Sequence, residues 1–298
     1  MLSLKLLGGA SVERSGTPVA GRAARGHRLA LLALLARGRP LSRDRILALL
    51  FPESDTDRGR RALSDTLYLL RSALGEDVLL VTGDDLRLNP ERVASDVGEF
   101  ERLLGEDRLE AAVAAYAGPF LDGFHLADSA EFEQWVDGER DRLAARFAEA
   151  LERLAETGER ASEWGAAVGW WRRRAALEPG NGRVALRLML ALASAGDRAG
   201  ALQHARVHAA LLREEYDADP DPELVALTER LRRESVARGA ALPAERQAGP
   251  AESPPEREPV PPPAVAPWEP VAAAPAGRGA GTRWRRVAVA VLLVGVAI

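Results

Sequence analysis

The sequence predicts a mainly α-helical protein in which a small N-terminal α+β domain precedes a longer domain of helical repeats. Three observations lead to this prediction. Ala, Leu, Arg and Glu dominate the 298 residues while aromatic residues reach only 5%, a composition typical of helical proteins. Short alternating segments broken by Gly and Pro occur near the N-terminus. Apolar residues recur at helical spacing along most of the chain up to about residue 238.

The first elements are short strands followed by two helices. Residues 2–20 alternate weakly between apolar and polar positions and are interrupted by Gly and Pro, which predicts short antiparallel strands. A helical pattern begins near His27. A second begins after Ser42, whose side chain is a favoured N-cap, and ends at Pro52.

A third helix and a hairpin complete the N-terminal domain. The helix ends at Gly75. Its apolar seam, at helical spacing, is Leu63, Leu67, Leu70 and Leu74. Residues 78–88 then predict a β-hairpin with its turn at residues 83–85. Strands, three helices and a terminal hairpin together predict a winged helix-turn-helix domain over residues 1–94.

The helical pattern continues from Asp96 and contains an internal repeat. The segments that begin at Glu163 and Asp197 are equivalent and lie 34 residues apart. This period is typical of tetratricopeptide repeats, and it predicts Ala167 and Ala201 as small contacts between paired helices. The predicted breaks between helices are Gly105, Gly118-Pro119, Gly158, Pro179-Gly180, Gly196 and Pro220. We therefore predict a tetratricopeptide-like helical domain over residues 95–238.

Two further segments follow. Residues 239–282 hold 11 of the 19 prolines and predict an extended, disordered Pro-rich linker. Residues 283–298 are a basic flank with Trp284, followed by twelve uncharged residues, which would cover only about 18 Å as a helix. Either this apolar segment dips into a bilayer or the sequence stops inside a longer membrane helix, and the second interpretation is favoured. We expect an inner-membrane anchor, with the preceding domains in the cytoplasm.

Charge is divided unevenly along the chain. Residues 22–71 hold eleven arginines against five acidic residues, a net charge of +6. Residues 96–236 hold 18 arginines against 28 acidic residues, a net charge of −10. The whole chain has a net charge of −4, which conceals this difference. A cationic N-terminal region next to an anionic C-terminal region predicts a polyanionic partner, double-stranded DNA, for the N-terminal region only.

Composition argues against most catalytic chemistry. The chain has no Cys, and Lys5 is its only lysine, so thiolate metal sites, cysteine nucleophiles and a Walker-A lysine are excluded. His204 and His208 are spaced like two metal ligands, but no third ligand accompanies them. We find no motif of hydrolases, metalloproteases or phosphate-binding loops, and predict a non-enzyme without cofactor or metal.

The third predicted helix carries the candidate DNA-reading surface. Polar side chains form a stripe separate from the leucine seam, and in a helix-turn-helix this stripe enters the major groove. The residues predicted to contact DNA are Arg43, Arg58, Arg60, Arg61, Ser64, Tyr68, Arg71 and Arg87. Arg45 is a second candidate for the DNA backbone beside Arg43. The alternative interpretation is an ordinary solvated, arginine-rich face.

Several segments carry a resemblance to a known family. In the first half they are Leu4-Lys5-Leu6-Leu7-Gly8, Leu41-Ser42-Arg43-Asp44-Arg45-Ile46 with Phe51-Pro52, and Ala62-Leu63-Ser64-Asp65-Thr66-Leu67-Tyr68-Leu69-Leu70-Arg71. In the second half they are Asp96 with Phe100, Gly118-Pro119-Phe120-Leu121, Glu131-Phe132-Glu133-Gln134-Trp135, Glu139-Arg140 and Leu143. On these residues the chain resembles SARP-type transcriptional regulators, in which an OmpR-like winged helix precedes a bacterial transcriptional activator domain.

The resemblance covers about residues 2–236 and has functional implications. It implies a DNA-binding regulator, an activator, that binds repeated sites as a homodimer. It also implies that the loop at residues 51–57 faces RNA polymerase. Two features depart from the family pattern. Asp65 places an acid beside the reading stripe, and the hairpin carries two further carboxylates at Asp84 and Asp85.

Two other functions stay open at this point. The chain could be a membrane-tethered adaptor whose helical repeats bind a protein while the winged helix binds no DNA. It could also be a sensor whose repeat domain binds a small ligand and changes DNA affinity. The operator, the regulated genes, the choice between activation and repression, and the input signal have no signature in the sequence.

Overall fold

The structure, a computed structural model, describes residues 1–19 and 25–240. Arg22 of the basic stretch lies outside the described residues. The predicted linker and apolar segment also lie outside them, apart from the first two linker residues, which belong to the last helix. Within the described ranges, no helix is both long and apolar enough to cross a bilayer.

Seven strands and ten helices form the described part of the chain. The strands are β1 (Leu2–Lys5), β2 (Ser11–Arg14), β3 (Thr17–Pro18), β4 (Leu41–Ser42), β5 (Leu79–Thr82), β6 (Asp85–Leu88) and β7 (Val93–Ser95). The helices are α1 (His27–Leu35), α2 (Arg43–Leu50), α3 (Thr56–Leu74), α4 (Asp96–Gly105), α5 (Leu109–Ala115), α6 (Ala130–Arg160), α7 (Trp164–Leu177), α8 (Gly182–Ser194), α9 (Arg198–Tyr216) and α10 (Pro222–Ala240). The molecule is mainly helical with an N-terminal winged-helix-like α+β region, as predicted.

Two small sheets frame the first three helices. One has the strand order β3-β2-β1-β7, in which β1 and β2 are antiparallel and Leu4 lies opposite Val12. The predicted N-terminal strands are thus present, but β7 was not predicted and pairs with β1 in parallel. The other sheet has the order β4-β6-β5 and contains the predicted hairpin. Its turn is only two residues, Gly83 and Asp84, because Asp85 already pairs with Thr82.

Side-chain caps fix the starts of α2 and α3. The Ser42 hydroxyl accepts a hydrogen bond from the Arg45 backbone N–H at 3.3 Å, as predicted. The Asp55 carboxylate accepts one from the Arg58 N–H at 2.8 Å, and α3 begins at Thr56, so the expected loop at residues 51–57 ends two residues earlier. Gly75 ends α3 with a φ of 121°, a conformation that favours glycine.

The helices α4 to α10 follow the predicted pattern with one exception. Helices α7 and α9 begin 34 residues apart, and Ala167 and Ala201 are fully buried. Gly158 does not break a helix, since α6 continues through it to Arg160. A Cβ at Gly158 would lie only 3.2 Å from the Ala167 backbone nitrogen, so this glycine lets α6 and α7 approach closely.

Buried side chains form two clusters that divide inside α6. The first extends from Leu2 to Leu151 and joins the winged-helix region to α4, α5 and the first part of α6. The second extends from Ala155 to Leu231 and lies among α7 to α10. The apolar core is therefore continuous past residue 94, where we predicted a domain boundary. That boundary stays a prediction.

The two halves also meet at the segments that carry the family resemblance. Leu121 donates its backbone N–H to the Leu6 carbonyl at 2.7 Å, and Gly8 donates to the Pro119 carbonyl at 2.9 Å. A Cβ at Gly118 would lie 2.8 Å from the Gly8 Cα, so the close approach of the two backbone segments requires glycine at both positions. The end of β1 is thus held against the loop that precedes α6.

Candidate nucleic-acid interface

Helix α3 has one buried side and one open side. Its buried residues are Gly59, Leu63, Thr66, Leu67, Leu70 and Leu74, which include the whole predicted seam. At about 100° per residue, Arg61 and Tyr68 lie nearly opposite the centre of that buried side. The open side therefore faces away from the core of the molecule.

The predicted contact residues of α3 lie mostly on this open side. Arg58, Arg60 and Arg61 are exposed, as is Ser64, and 71% of Tyr68 is exposed. The Ser64 hydroxyl donates to the Arg60 carbonyl at 2.9 Å, which leaves its oxygen lone pairs free. We call Arg58, Arg60, Arg61, Ser64 and Tyr68 the α3 stripe.

Among the residues that the structure describes, the arginines of the α3 stripe have no carboxylate partner. Within residues 1–19 and 25–240, no acidic oxygen lies within 4.0 Å of a guanidinium nitrogen of Arg58, Arg60 or Arg61. The helical half differs, because many of its arginines form ion pairs of 2.5–3.0 Å. Among these are Arg102, Arg140, Arg142, Arg174, Arg183 and Arg187. Unpaired arginines also occur in the helical half, for example Arg206 and Arg213 among the described residues. What distinguishes α3 is that Arg58, Arg60 and Arg61 lie close together on its exposed side.

Arg71 differs from the other α3 arginines. It lies at the edge of the open side, is half-buried, and its Nε is buried without a hydrogen-bond partner among the described residues. The end of α3 is held by Arg14 of β2, whose guanidinium donates to the Leu74 carbonyl at 3.2 Å. Nothing in the sequence pattern pointed to Arg14, because its partner lies 60 residues away.

The other predicted contact residues flank α3. Arg43 lies 3.7 Å from the Asp84 carboxylate at the hairpin turn, so this arginine is partly engaged. The same contact partly neutralises the negative charge of Asp84, one of the two hairpin carboxylates. Arg45 and Arg87 are exposed and form no ion pair within the described part of the chain.

The loop between α2 and α3 is braced by the helical half. Ser129, the N-cap of α6, is buried, and its hydroxyl donates to the Leu49 carbonyl near the end of α2. Phe51 stacks on His27 with ring centroids 4.8 Å apart. Sequence reasoning missed Ser129, although a Ser three residues before Phe132 is a recognisable N-cap signal.

His208 and Trp171 of the helical half are buried and form hydrogen bonds inside the protein. His208 is buried and its Nδ1 lies 2.9 Å from the Pro179 carbonyl, which can only accept, so Nδ1 donates. Trp171 is buried and donates from Nε1 to Glu159 at 2.7 Å. The described residues contain no group of three side chains suited to hold a metal ion.

Fold and surface together define a class of protein. A winged-helix-like region with an exposed cationic helix, followed by a longer helical region, is an organisation typical of transcriptional regulators. The comparisons with known proteins agree. Residues 92–232 match the family model described as the bacterial transcriptional activator domain.

A solved structure supports the fold. The chain is similar to EmbR of Mycobacterium tuberculosis, solved in complex with a low-affinity phosphopeptide. The TM-score is 0.54 and the identity 23%, and the match covers 78% of this chain and 65% of that chain. This chain therefore spans just under two thirds of that protein. No curated protein gave a significant match. The domain match confirms the resemblance to SARP-type transcriptional regulators, and the similarity to EmbR supports the fold.

Proposed function

We propose that this protein is a DNA-binding transcriptional activator that places α3 in the major groove of duplex DNA. The observation that supports this most directly is the α3 stripe, which is exposed and has no carboxylate partner in the described part of the chain. Arg61 would donate to guanine or to phosphate, while Ser64 and Tyr68 would reach phosphates or base edges. Arg58 and Arg60 lie near the N-terminus of α3, where the helix dipole also favours phosphate.

The remaining predicted residues have supporting roles in this proposal. Arg71 would extend the contact from the edge of α3. Arg43, with Arg45, would approach the flanking backbone, although the Asp84 contact must open for Arg43 to do so. Arg87 on the hairpin would approach the neighbouring groove. Neutralising about four phosphates gives a log–log dependence of affinity on salt with a slope of about −3.6.

The rest of the chain would serve activation. By resemblance, the loop at residues 51–57 contacts RNA polymerase and the protein binds repeated sites as a homodimer. The Ser129–Leu49 hydrogen bond supports the first assignment, because it fixes the end of α2 from which this loop begins. The 34-residue spacing of α7 and α9 supports a tetratricopeptide-like arrangement of the second domain. These domains would lie in the cytoplasm, with a C-terminal anchor in the inner membrane.

Substitution of the reading residues tests the proposal. DNA bound by the full chain is first selected from a random library, and the selected duplex is then titrated. We expect Arg61→Ala, and Arg71→Ala to a similar extent, to weaken binding by about 1–3 kcal/mol if each arginine contacts a base edge. Arg213→Ala is the matched control, because Arg213 is an exposed arginine of α9.

Two results would contradict the proposal. One is binding by Arg61→Ala and Arg71→Ala that equals binding by the parent protein. The other is weak retention on duplex DNA that does not change with salt. The second result, together with capture of a protein partner by the helical domain, would favour the adaptor function instead.

A further inference from the structure

Asp65 is an exposed carboxylate beside the α3 stripe, and it has no ion-pair partner among the described residues. It is exposed on α3 and lies between Arg61 and Tyr68 on the open side of the helix. Arg61 is four residues away, a spacing at which opposite charges often pair on a helix. Nevertheless, no cationic nitrogen of the described residues lies within 4.0 Å of the Asp65 carboxylate. This acid therefore neutralises no neighbouring arginine.

A free carboxylate at this position is unfavourable for general DNA binding. The major groove is lined on both sides by phosphates, and their separation from a side chain in the groove is comparable to a Debye length of about 8–10 Å. Asp65 would therefore repel the duplex unless it accepts a hydrogen bond from a base. An ionised carboxylate accepts and cannot donate, so only an amino group on a base edge can satisfy it.

Two bases present an amino group in the major groove, and their edges differ. Adenine presents its 6-amino group beside the N7 acceptor, whose lone pair repels a carboxylate. Cytosine presents its 4-amino group without an acceptor of its own on that edge. A carboxylate is therefore better suited to cytosine than to adenine.

We propose that Asp65 accepts a hydrogen bond from the 4-amino group of a cytosine and thereby fixes one C·G pair of the binding site. This inference rests on the proposed major-groove function of α3. Arg61 and Asp65 are separated by about 6 Å along the helix axis, and successive base pairs by about 3.4 Å. The cytosine therefore lies within about two base pairs of the position that Arg61 contacts. Asp65 would thus lower the affinity for DNA of random sequence and raise the preference for one base pair.

Two substitutions at Asp65 test this role. Asp65→Ala removes the acceptor, and Asp65→Asn replaces it with an amide, which pairs with adenine through N6 and N7. Full-length variants are compared by selection from a random duplex library and by titration of single-base variants of the selected site. Asp219→Ala and Asp219→Asn are matched controls, because Asp219 is an exposed aspartate in the loop between α9 and α10.

The expected results are specific to one base pair. Asp65→Ala should lose a roughly 5- to 10-fold preference for cytosine at one position and keep its preferences elsewhere. It should also bind random-sequence DNA a few-fold more tightly, because a like charge has been removed. Asp65→Asn should change the preferred base at that position from cytosine to adenine. The Asp219 variants should match the parent protein.

The outcomes separate this inference from the function on which it rests. If the parent protein selects no DNA, both the proposed function and the Asp65 role are wrong. If it selects a site and the Asp65 variants select the same site with the same base preferences, only the Asp65 role is wrong. A parent preference for adenine at the position that changes in Asp65→Ala would also overturn the assignment to cytosine.

Discussion

At the scale of single residues, His204 has the clearest electrostatic environment in the helical half. Its ring is largely buried on α9, and its Nε2 has no hydrogen-bond partner in the described part of the chain. Burial, followed by the nearby charges of His208 and Arg172, lowers the pKa of His204 from 6.5 to about 4. The folded protein therefore holds this imidazole neutral at a pH at which the unfolded chain would protonate it.

This environment predicts a pH dependence of stability. Because the folded pKa of His204 is lowered, its contribution is fully present above pH 6.5 and is lost as pH falls toward about 4. Solvent partly screens the ring, so we expect this residue to account for about 1–2 kcal/mol of the free energy of unfolding lost between pH 7.5 and 4.5. Urea unfolding of the parent and His204→Gln at both pH values measures the difference. Equal losses in the two proteins would show that His204 is not responsible.

The side of α3 on which each residue lies could be predicted from the sequence, but the contacts of the predicted DNA-binding residues could not. The exposure of Arg61, Ser64 and Tyr68 followed from helical periodicity, which assigns a side to each position. The contact of Arg43 with Asp84 depends on how the hairpin folds against α2, and periodicity carries no such information. Whether the α3 stripe contacts DNA stays a prediction.

At the scale of elements, the long periodic helices, the N-terminal strands and the hairpin were predictable from the sequence, and the strands β4 and β7 were not. The helices α1 to α3 and the repeat spacing of α7 and α9 follow from apolar periodicity and caps. The strands β4 and β7 have two and three residues, and each exists because a distant partner strand offers it hydrogen bonds. Gly158 was predicted to break a helix, but in the structure it lies inside α6 and allows close contact with Ala167 of α7.

The start of α3 depends on one side chain. Asp55→Ala removes the cap that satisfies the Arg58 N–H, and we expect a loss of about 1 kcal/mol in the free energy of unfolding. Asp57→Ala is the control, because Asp57 lies in the first turn of the same helix without a cap hydrogen bond. We expect the control to lose less than about half as much, through the helix dipole alone. Chemical denaturation measures both, and equal losses would contradict a specific role of the cap.

At the scale of the whole molecule, the buried core predicts which fragments fold. The first cluster needs side chains from both halves, such as Leu6 of the N-terminal region and Phe120, Phe132 and Leu151 beyond residue 95. Asp96 adds polar contacts, because its carboxylate accepts the backbone N–H groups of Leu6 and Leu7. The predicted sequence boundary therefore crosses a surface that is buried in the folded chain.

A truncation series measures this dependence. Residues 1–94 alone would expose the apolar surface that α4 to α6 cover, and we expect them to lack a cooperative unfolding transition. Residues 1–160 retain the first cluster and should unfold cooperatively in urea, as followed by circular dichroism. A cooperative transition of residues 1–94 at the same midpoint as residues 1–160 would show that the winged-helix region is an independent folding unit.

The length of α6 has a mechanical consequence. Its 31 residues form a rod of about 46 Å that begins beside Leu49 and ends against α7. A hinge between the two halves would have to bend this rod or separate Ser129 from α2. If α3 binds a duplex as proposed, the helices that follow α6 would project from the duplex in a fixed direction. A rotation of α6 by a few degrees about its N-terminal end would displace its C-terminal end by a few ångströms.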